Sequence, residues 1–185
     1  GAGGNGGGVF CYSGKLSHCL FEGNQTGDGG GIRYSWDIGI GGNGGSGAGF
    51  YAAQNAIAIC CLLVGNRTGD GGDAVTFPGG RDGKGGNGGN GSGCWIAGGS
   101  VTNCTIIGNA LGVGGVAQSG TNGAPGIGGG IWCAVGEIVN SILWNNDGAE
   151  IEGSGVMARY SDVESGTGQP WFDSGTCLDS NPLFR

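Results

Sequence analysis

An eight-residue segment occurs twice in this chain with a single change. Residues 23–30 read GNQTGDGG, and residues 65–72 read GNRTGDGG. Four longer segments align around these two, each with a Gly-x-Gly start, two short apolar stretches and a closing asparagine: 6–24, 47–66, 91–109 and 128–146. Repeats of this length are typical of folds in which one structural unit stacks on the next.

The repeat units predict an all-β fold. The frequent glycines, with β-branched and aromatic residues between them, argue against helices, so each segment is expected to hold two strands and a turn. The shared GNxTGDGG motif is then a corner, because glycine adopts left-handed backbone freely and asparagine tolerates it. Gly-rich pieces lie between the segments, at 29–46, 71–90 and 115–127. We expect them to be thin coils of a solenoid, either β-coils or packed polyglycine-like strands, so that each repeat makes two turns.

Two aligned columns of residues are predicted to face the core. One contains Cys19, Cys61 and Cys104, with Ser141 in the fourth copy. The other lies two residues later, on the same strand face, and contains Phe21, Leu63, Ile106 and Leu143. Cysteine packs in such a core as a small apolar side chain. With a thin coil between copies, the sulfurs would lie roughly 10 Å apart, too far for a disulfide. The better disulfide candidates are Cys11, Cys60, Cys94, Cys133 and Cys177.

A third column consists of aromatic residues and is predicted to face outward: Phe10, Tyr51, Trp95 and Trp132. Two interpretations stay open. The rings can stack on sugar rings, or they are covered by protein, either the Gly-rich pieces or another subunit. We favour covering by protein, because large exposed apolar patches are rare.

Composition and charge exclude several classes of protein. The net charge is −7 and the seven Lys and Arg residues are scattered, whereas a nucleic-acid-binding surface needs clustered basic residues. The longest apolar run, 56–64, is too short for a membrane helix. The first residues show no leader segment. The chain has no CxxC pair, and its single histidine, His18, has no evident partner, so we predict neither a metal site nor a cofactor. Eight cysteines are compatible with an oxidising compartment.

The repeats resemble those of a known class of proteins. FEGN at 21–24, GGGI at 29–32 and NCTIIGN at 103–109 are similar to repeats of right-handed parallel β-helix proteins of bacterial secreted and surface type, including polymorphic outer-membrane proteins. NSILWNN at 140–146 and NPLF at 181–184 resemble the last coils of such proteins. The resemblance implies a right-handed parallel β-helix over residues 6–184 and an extracellular or cell-surface location. It says little about activity, since one fold hosts many functions.

Acidic residues are the candidates for chemistry. The densest group is Asp147, Glu150 and Glu152, followed by Asp162 and Glu164. Paired carboxylates can cleave glycosidic bonds when held at a suitable separation, but we favour a solvated acidic surface and predict no enzyme. A second group, Asp28, Asp70 and Asp73, is similar to calcium-binding glycine-rich repeats. We favour turn formation there over calcium binding.

Glycosylation is a further hypothesis. Four Asn-x-Ser/Thr sequons occur, at Asn24, Asn66, Asn90 and Asn103. Asn24 and Asn66 lie at equivalent corners, from which glycans would project outward. Thr26 and Thr68 are equally suitable acceptors for O-linked sugars.

The two ends of the chain suggest an assembly. Residues 1–152 form the predicted repeats, and residues 153–185 a last coil with a capping or docking tail that contains Trp171, Phe172, Leu183 and Phe184. Solenoid ends expose strand edges, and head-to-tail contacts that do not close produce filaments. We therefore expect an extracellular structural or surface protein that polymerises with itself. The alternative is a carbohydrate-binding or carbohydrate-cleaving β-helix protein.

Overall fold

The fold is all-β. A computed structural model describes residues 1–184, with Tyr34 and Ser35 described by their backbone alone. Within that range there is no helix. The strands are β1 (Val9–Cys11), β2 (Gly14–Ser17), β3 (Leu20–Glu22), β4 (Ile32–Ser35), β5 (Phe50–Ile59), β6 (Leu62–Val64), β7 (Ala74–Thr76), β8 (Gly83–Lys84), β9 (Cys94–Thr102), β10 (Thr105–Ile107), β11 (Gly120–Thr121), β12 (Ile131–Cys133), β13 (Val135–Val139), β14 (Ile142–Trp144), β15 (Ile151–Glu152), β16 (Gly155–Arg159) and β17 (Asp162–Val163).

Two main sheets consist of parallel strands. The larger follows the order β1-β5-β9-β12-β15, with β2, β13 and β16 alongside. The second has the order β3-β6-β10-β14-β17. Its register pairs Phe21 with Leu63, Leu63 with Ile106 and Ile106 with Leu143, which is the alignment read from the repeats. Short two-stranded sheets, β4 with β7 and β8 with β11, complete the set.

Successive copies of the repeat are direct neighbours in these sheets. Leu62 N–H, for example, donates to the carbonyl oxygen of Cys19 at 3.0 Å, and no thin coil intervenes between β3 and β6. The expectation that each repeat makes two turns, a full one and a thin one, is therefore wrong. Each repeat of about 42 residues advances by one strand spacing, about 4.8 Å.

The hydrophobic core lies on the inward faces of the two main sheets. Its side chains come from aligned positions of successive strands, so each packs on its equivalent in the next copy. The largest fully buried apolar ones are Phe50, Leu63, Ile96, Ile106, Ile131, Ile138, Leu143 and Ile151. Burying side chains of this size contributes about 1.5–3 kcal/mol each, which makes this alignment the main apolar contribution to stability.

The Gly-rich pieces pack into two layers beside the sheets. The first layer contains the segments 1–7, 41–47, 84–91 and 121–127, and the second contains 25–30, 67–73 and 110–116. Within a layer, every third residue donates to the next copy: Gly41, Gly44 and Gly47 N–H bond the carbonyls of Lys84, Asn87 and Asn90 at 2.8–2.9 Å. Bonds also join the layers, from Gly72 N–H to Gly42 O at 2.8 Å and from Gly86 N–H to Gly72 O at 2.9 Å.

This three-residue period is that of a polyproline-II-type chain, which has three residues per turn and no hydrogen bonds within itself. Of the two conformations left open by the sequence, the polyglycine-like one is the better description. The backbones approach too closely for a side chain both within a layer and between the layers. A Cβ on Gly86 would lie 1.9 Å from the carbonyl oxygen of Gly42 in its own layer, and one on Gly71 would lie 1.9 Å from that of Gly86 in the other layer.

The C-terminal segment covers the last copy of the repeat. Ala158 N–H donates to Trp171 O at 2.8 Å, and Val163 N–H donates to Leu178 O at 2.9 Å. Trp171 is buried and Phe172 half-buried against the core. These two residues therefore cover the last strands of the two main sheets, whereas Leu183 and Phe184 remain exposed.

Candidate functional site

The closing asparagines of the four repeats form a hydrogen-bonded column, the asparagine ladder (Asn24, Asn66, Asn109 and Asn146). Each of the first three rungs donates both its backbone N–H and its side-chain Nδ2 to the Oδ1 of the next, over 2.7–3.0 Å. Nδ2 of the last three rungs also donates to a backbone carbonyl. The left-handed residue of each corner precedes the asparagine, as Gly65 does with φ of 62°. The asparagines are therefore structural links rather than turn formers.

Glu150 ends the asparagine ladder. Its Oε1 accepts from Asn146 N–H at 3.0 Å and its Oε2 from Asn146 Nδ2 at 2.5 Å. Burial raises the pKa of Glu150 to about 7, opposed by these hydrogen bonds and reinforced by the nearby Glu164 carboxyl. A cavity lies beside the two carboxyl groups. Its lining includes Glu150, Glu164, Glu152, Gln169 and Trp171.

The free energy of unfolding should fall as the pH rises from 4.5 to about 7, because the pKa of Glu150 differs between the unfolded and the folded chain. Its pKa is about 7 in the folded chain against an ordinary value of 4.5, so between these values the folded state binds more protons than the unfolded state. The stabilising effect of the protonated carboxyl is present in full below pH 4.5 and is lost as the pH passes 7. Urea unfolding from pH 4.5 to 8 should show this decline, and Glu150→Gln should flatten it. An unchanged slope in the variant would rule out Glu150 as its source.

Of the predicted acidic group, Glu150, Glu152 and Glu164 line this one cavity, whereas Asp147 and Asp162 are not among its lining residues. Within the described part of the chain, no group of three or more His, Cys, Asp or Glu side chains is placed to hold a metal ion. The Glu164 carboxyl lies close enough to Glu150 to favour its protonated form, and both carboxyls line the same cavity. Asp28, Asp70 and Asp73 each accept a backbone N–H from the following copy, at 2.8–2.9 Å. They link neighbouring glycine segments.

The aromatic column is a continuous stack, the aromatic ladder (Phe10, Tyr51, Trp95 and Trp132). Successive ring centroids are 5.2, 4.3 and 4.7 Å apart, and the planes are within 5° of parallel. Phe10 is 58% exposed and the other three are half-buried. Each inner ring has both faces against its neighbours, so it presents only its edge to solvent. Stacking on sugars needs a free ring face, which the ladder offers at Phe10. The Gly-rich pieces leave the ladder partly exposed.

Removing a middle ring of the aromatic ladder should lower the free energy of unfolding and change the near-ultraviolet circular dichroism spectrum. Trp95→Ala deletes two stacked contacts, each worth about 0.5–1.5 kcal/mol beyond the buried area, so we expect a loss of about 2–4 kcal/mol. Near-ultraviolet circular dichroism should lose the signal of the coupled Trp95 and Trp132 rings. Phe10→Ala, which removes an end ring, is the matched control and should cost less. Equal losses in the two variants would contradict a continuous stack.

The structure shows the eight cysteines as free thiols. Cys61 and Cys104 are buried, as predicted for the core column, and Cys19 is half-buried. The Sγ of each donates to the carbonyl two residues earlier at 3.3 Å. Burial raises the pKa of the Cys104 and Cys133 thiols to about 11 and that of Cys94 well above its ordinary value. These buried thiols are therefore poor nucleophiles.

The disulfide candidates from the sequence are not brought together in register. Cys11 lies opposite Ala52, Cys94 lies between Phe50 and Ile131, and Cys133 lies opposite Ile96. Cys177 is buried in the tail and Cys60 is exposed.

Three of the six predicted glycan acceptors lie inside the fold. Asn66 is fully buried, and Thr26 and Thr68 are buried with Oγ1 donating to Gly45 O and Gly89 O at 2.7 and 2.8 Å. A sugar at any of these three would displace packed backbone, so the hypothesis fails there on steric grounds. Asn24 and Asn90 are half-buried. Asn103 is exposed and remains the most accessible acceptor.

Within the described residues, the core of the first repeat is covered by a neighbouring copy on one side only. Four of its core-facing residues, the open end face (Val9, Cys11, Leu16 and Cys19), are only half-buried, whereas a fifth, Phe21, is buried. Their register equivalents Phe50, Ala52, Ala58 and Cys61 are buried. Among described residues, no strand pairs with the outer edges of β1, β2 or β3. At the opposite end, Val163 is fully buried beneath the capping segment.

Comparison of the chain with protein-family models, curated proteins and solved structures found no match. A separate search of the described residues found no helix long and apolar enough to cross a membrane.

Proposed function

We propose that the protein is an extracellular structural or surface protein, built as a right-handed parallel β-helix, whose copies associate through the open end face. The in-register parallel pairing of successive repeats supports the β-helix. The extracellular location follows the resemblance of the repeats to bacterial surface proteins. The observation that carries the assembly is the half-exposed core of the first repeat, where Val9 and Leu16 lack the covering that each later copy receives.

Head-to-tail contact is the arrangement we propose for this association. The open end face of one copy would meet the C-terminal end of another, adding parallel strands to the unpaired edges of β1, β2 and β3. Leu183 and Phe184, exposed beyond the cap, are the candidate apolar contacts on the second copy. Such a contact does not close on itself, so it extends into a filament.

Electron microscopy and sedimentation of the reduced protein over a range of concentrations test this proposal. Val9→Lys is the informative variant. In an isolated molecule the ammonium reaches water at the open end, but a covering copy would bury an unpaired charge at a cost of several kcal/mol. Val135→Lys, at an exposed position away from the ends, is the matched control.

We expect wild type and Val135→Lys to form rods that lengthen with concentration, and Val9→Lys to stay as single short particles. Isolated wild-type particles at every concentration would contradict assembly. A closed dimer sensitive to Val9→Lys would contradict the head-to-tail arrangement while retaining the contact surface. In the alternative function, a carbohydrate-binding or carbohydrate-cleaving protein, the wild type would remain single and would bind or depolymerise polysaccharide.

A further inference from the structure

Cys19 and Cys61 lie on neighbouring strands at equivalent positions. They immediately precede the paired residues Leu20 and Leu62 of β3 and β6, and Leu62 N–H donates to Cys19 O at 3.0 Å. Neighbouring strands are about 4.8 Å apart, and disulfides form between Cα atoms about 4.4–6.8 Å apart. The roughly 10 Å separation expected from thin intervening coils is therefore wrong, and with it the reason for excluding a disulfide in this column.

We propose that Cys19 and Cys61 form a cross-linking site, at which an oxidised low-molecular-weight disulfide such as glutathione disulfide joins the two sulfurs. In the first step, the deprotonated Cys19 Sγ attacks the reagent, forms a mixed disulfide and releases one glutathione thiolate. In the second, Cys61 Sγ attacks the Cys19 sulfur and displaces the second glutathione. The chain loses two hydrogens in total, and one glutathione disulfide is reduced to two thiols.

Access and backbone freedom favour this pair over Cys61 with Cys104. Cys19 is half-buried, whereas Cys104 is 2% exposed. A disulfide needs its Cβ atoms about 3.8 Å apart, so the two strands must approach each other slightly. Strand β3 pairs only with β6 in the described structure and can shift, whereas β6 and β10 each have partners on both sides. Cys61 N–H also donates to Cys104 Sγ at 3.4 Å, a contact that the Cys61–Cys104 bond would disturb.

Cys60 is the competing thiol for any added reagent. It is exposed, and its side chain lies next to Asn103, whose Nδ2 is 3.9 Å from the Sγ. Its backbone is left-handed, with φ of 54°, like that of Asn103 and Asn140 in later copies. Asparagine therefore fits this position, and Cys60→Asn gives a background in which a bond to Cys61 is not confused with one to its neighbour.

The experiment oxidises the folded, reduced Cys60→Asn protein with glutathione disulfide and maps the products by mass spectrometry. Three forms are compared: this background, the same with Cys19→Ser, and the same with Cys104→Ser. Serine already occupies this column at Ser141 and Ser161, donating to the carbonyl two residues earlier as the cysteines do. Both serine variants are therefore expected to fold, and circular dichroism before oxidation checks that they do.

We expect an intact-mass loss of about 2 Da in the background and in Cys104→Ser, from the two hydrogens removed. Digestion should give a linked peptide pair containing Cys19 and Cys61. Cys19→Ser should show no loss of about 2 Da in intact mass, and any glutathione adduct that it carries should be on a cysteine other than position 19. A Cys61–Cys104 bond, a glutathione adduct on Cys19 that never resolves, or no reaction of Cys19 in folded protein would each overturn the proposal. Because Cys19 belongs to the open end face, the oxidation is carried out at a dilution at which sedimentation shows single particles, so that failure of this proposal and failure of the assembly are distinguished.

Discussion

Replacing Gly86 with alanine is expected to prevent stable folding. The added methyl group would lie 1.9 Å from the carbonyl oxygen of Gly42 and 2.5 Å from its carbonyl carbon. Both atoms belong to backbone fixed by hydrogen bonds on several sides, including Gly72 N–H to Gly42 O at 2.8 Å. Relief requires the neighbouring segment to move by more than an ångström, which would break these bonds. We expect a loss of more than about 4 kcal/mol, measured by urea unfolding.

Gly4→Ala is the matched control for this substitution. Gly4 also lies in a Gly-rich segment of the first layer, but a Cβ there meets no atom within 4 Å and its φ is not left-handed. Alanine should be neutral or slightly stabilising, because it lowers the entropy of the unfolded chain. If Gly86→Ala proved as benign as Gly4→Ala, the glycine segments would not be packed backbone to backbone.

Replacing Asn109 with leucine should cost at least about 3 kcal/mol. Asn109 is 1% exposed, and its Oδ1 accepts both the N–H and Nδ2 of Asn66 at 2.9 and 2.8 Å. Its own Nδ2 donates to Leu63 O at 3.1 Å. Leucine has similar volume but no polar atoms, so it leaves these buried groups without partners and without room for water. Each such group costs about 1–3 kcal/mol.

Asn87→Leu is the control for the asparagine ladder. Asn87 is exposed, and its Oδ1 accepts only the N–H of Ala124, at 3.0 Å. Water can replace that acceptor, so we expect a change below about 1 kcal/mol. Similar losses at positions 87 and 109 in urea unfolding would contradict the buried ladder.

The strand positions were predictable because alignment of the copies exposes their period. Once the copies are aligned, alternation along β5, β9 and β12 separates the buried residues Phe50, Cys94 and Ile131 from the aromatic column beside them. What the alignment does not contain is the distance between copies. Glycine carries no side chain whose pattern could distinguish a thin coil in the same stack from a separate layer beside it. The prediction of two turns per repeat therefore failed where the sequence is richest in glycine.

The role of the closing asparagines also needed the structure. In a glycine-rich corner, asparagine suggests a left-handed turn, and Gly65 in fact takes that role at one corner. Recurrence of asparagine, rather than glycine, at all four ends was the available signal, because a side-chain amide both donates and accepts hydrogen bonds whereas glycine has no side chain. Glu150 could not be recognised as the terminal rung, since it follows Asn146 outside the repeat alignment. Its buried position and raised pKa depend on contacts made in the folded chain.

Amide hydrogen exchange of the glycines is the most direct test of the central structural claim, that the Gly-rich segments are packed layers continuous with the sheets. Gly86 and Gly115 N–H donate to the carbonyls of Gly72 and Gly86 at 2.9 and 2.8 Å between the layers. Their exchange should require the same opening as that of core residues such as Leu63 and Ile106. Protection of these glycine amides comparable to that of the core would support the layers. Exchange at the rate of an exposed loop, with the core still protected, would contradict them.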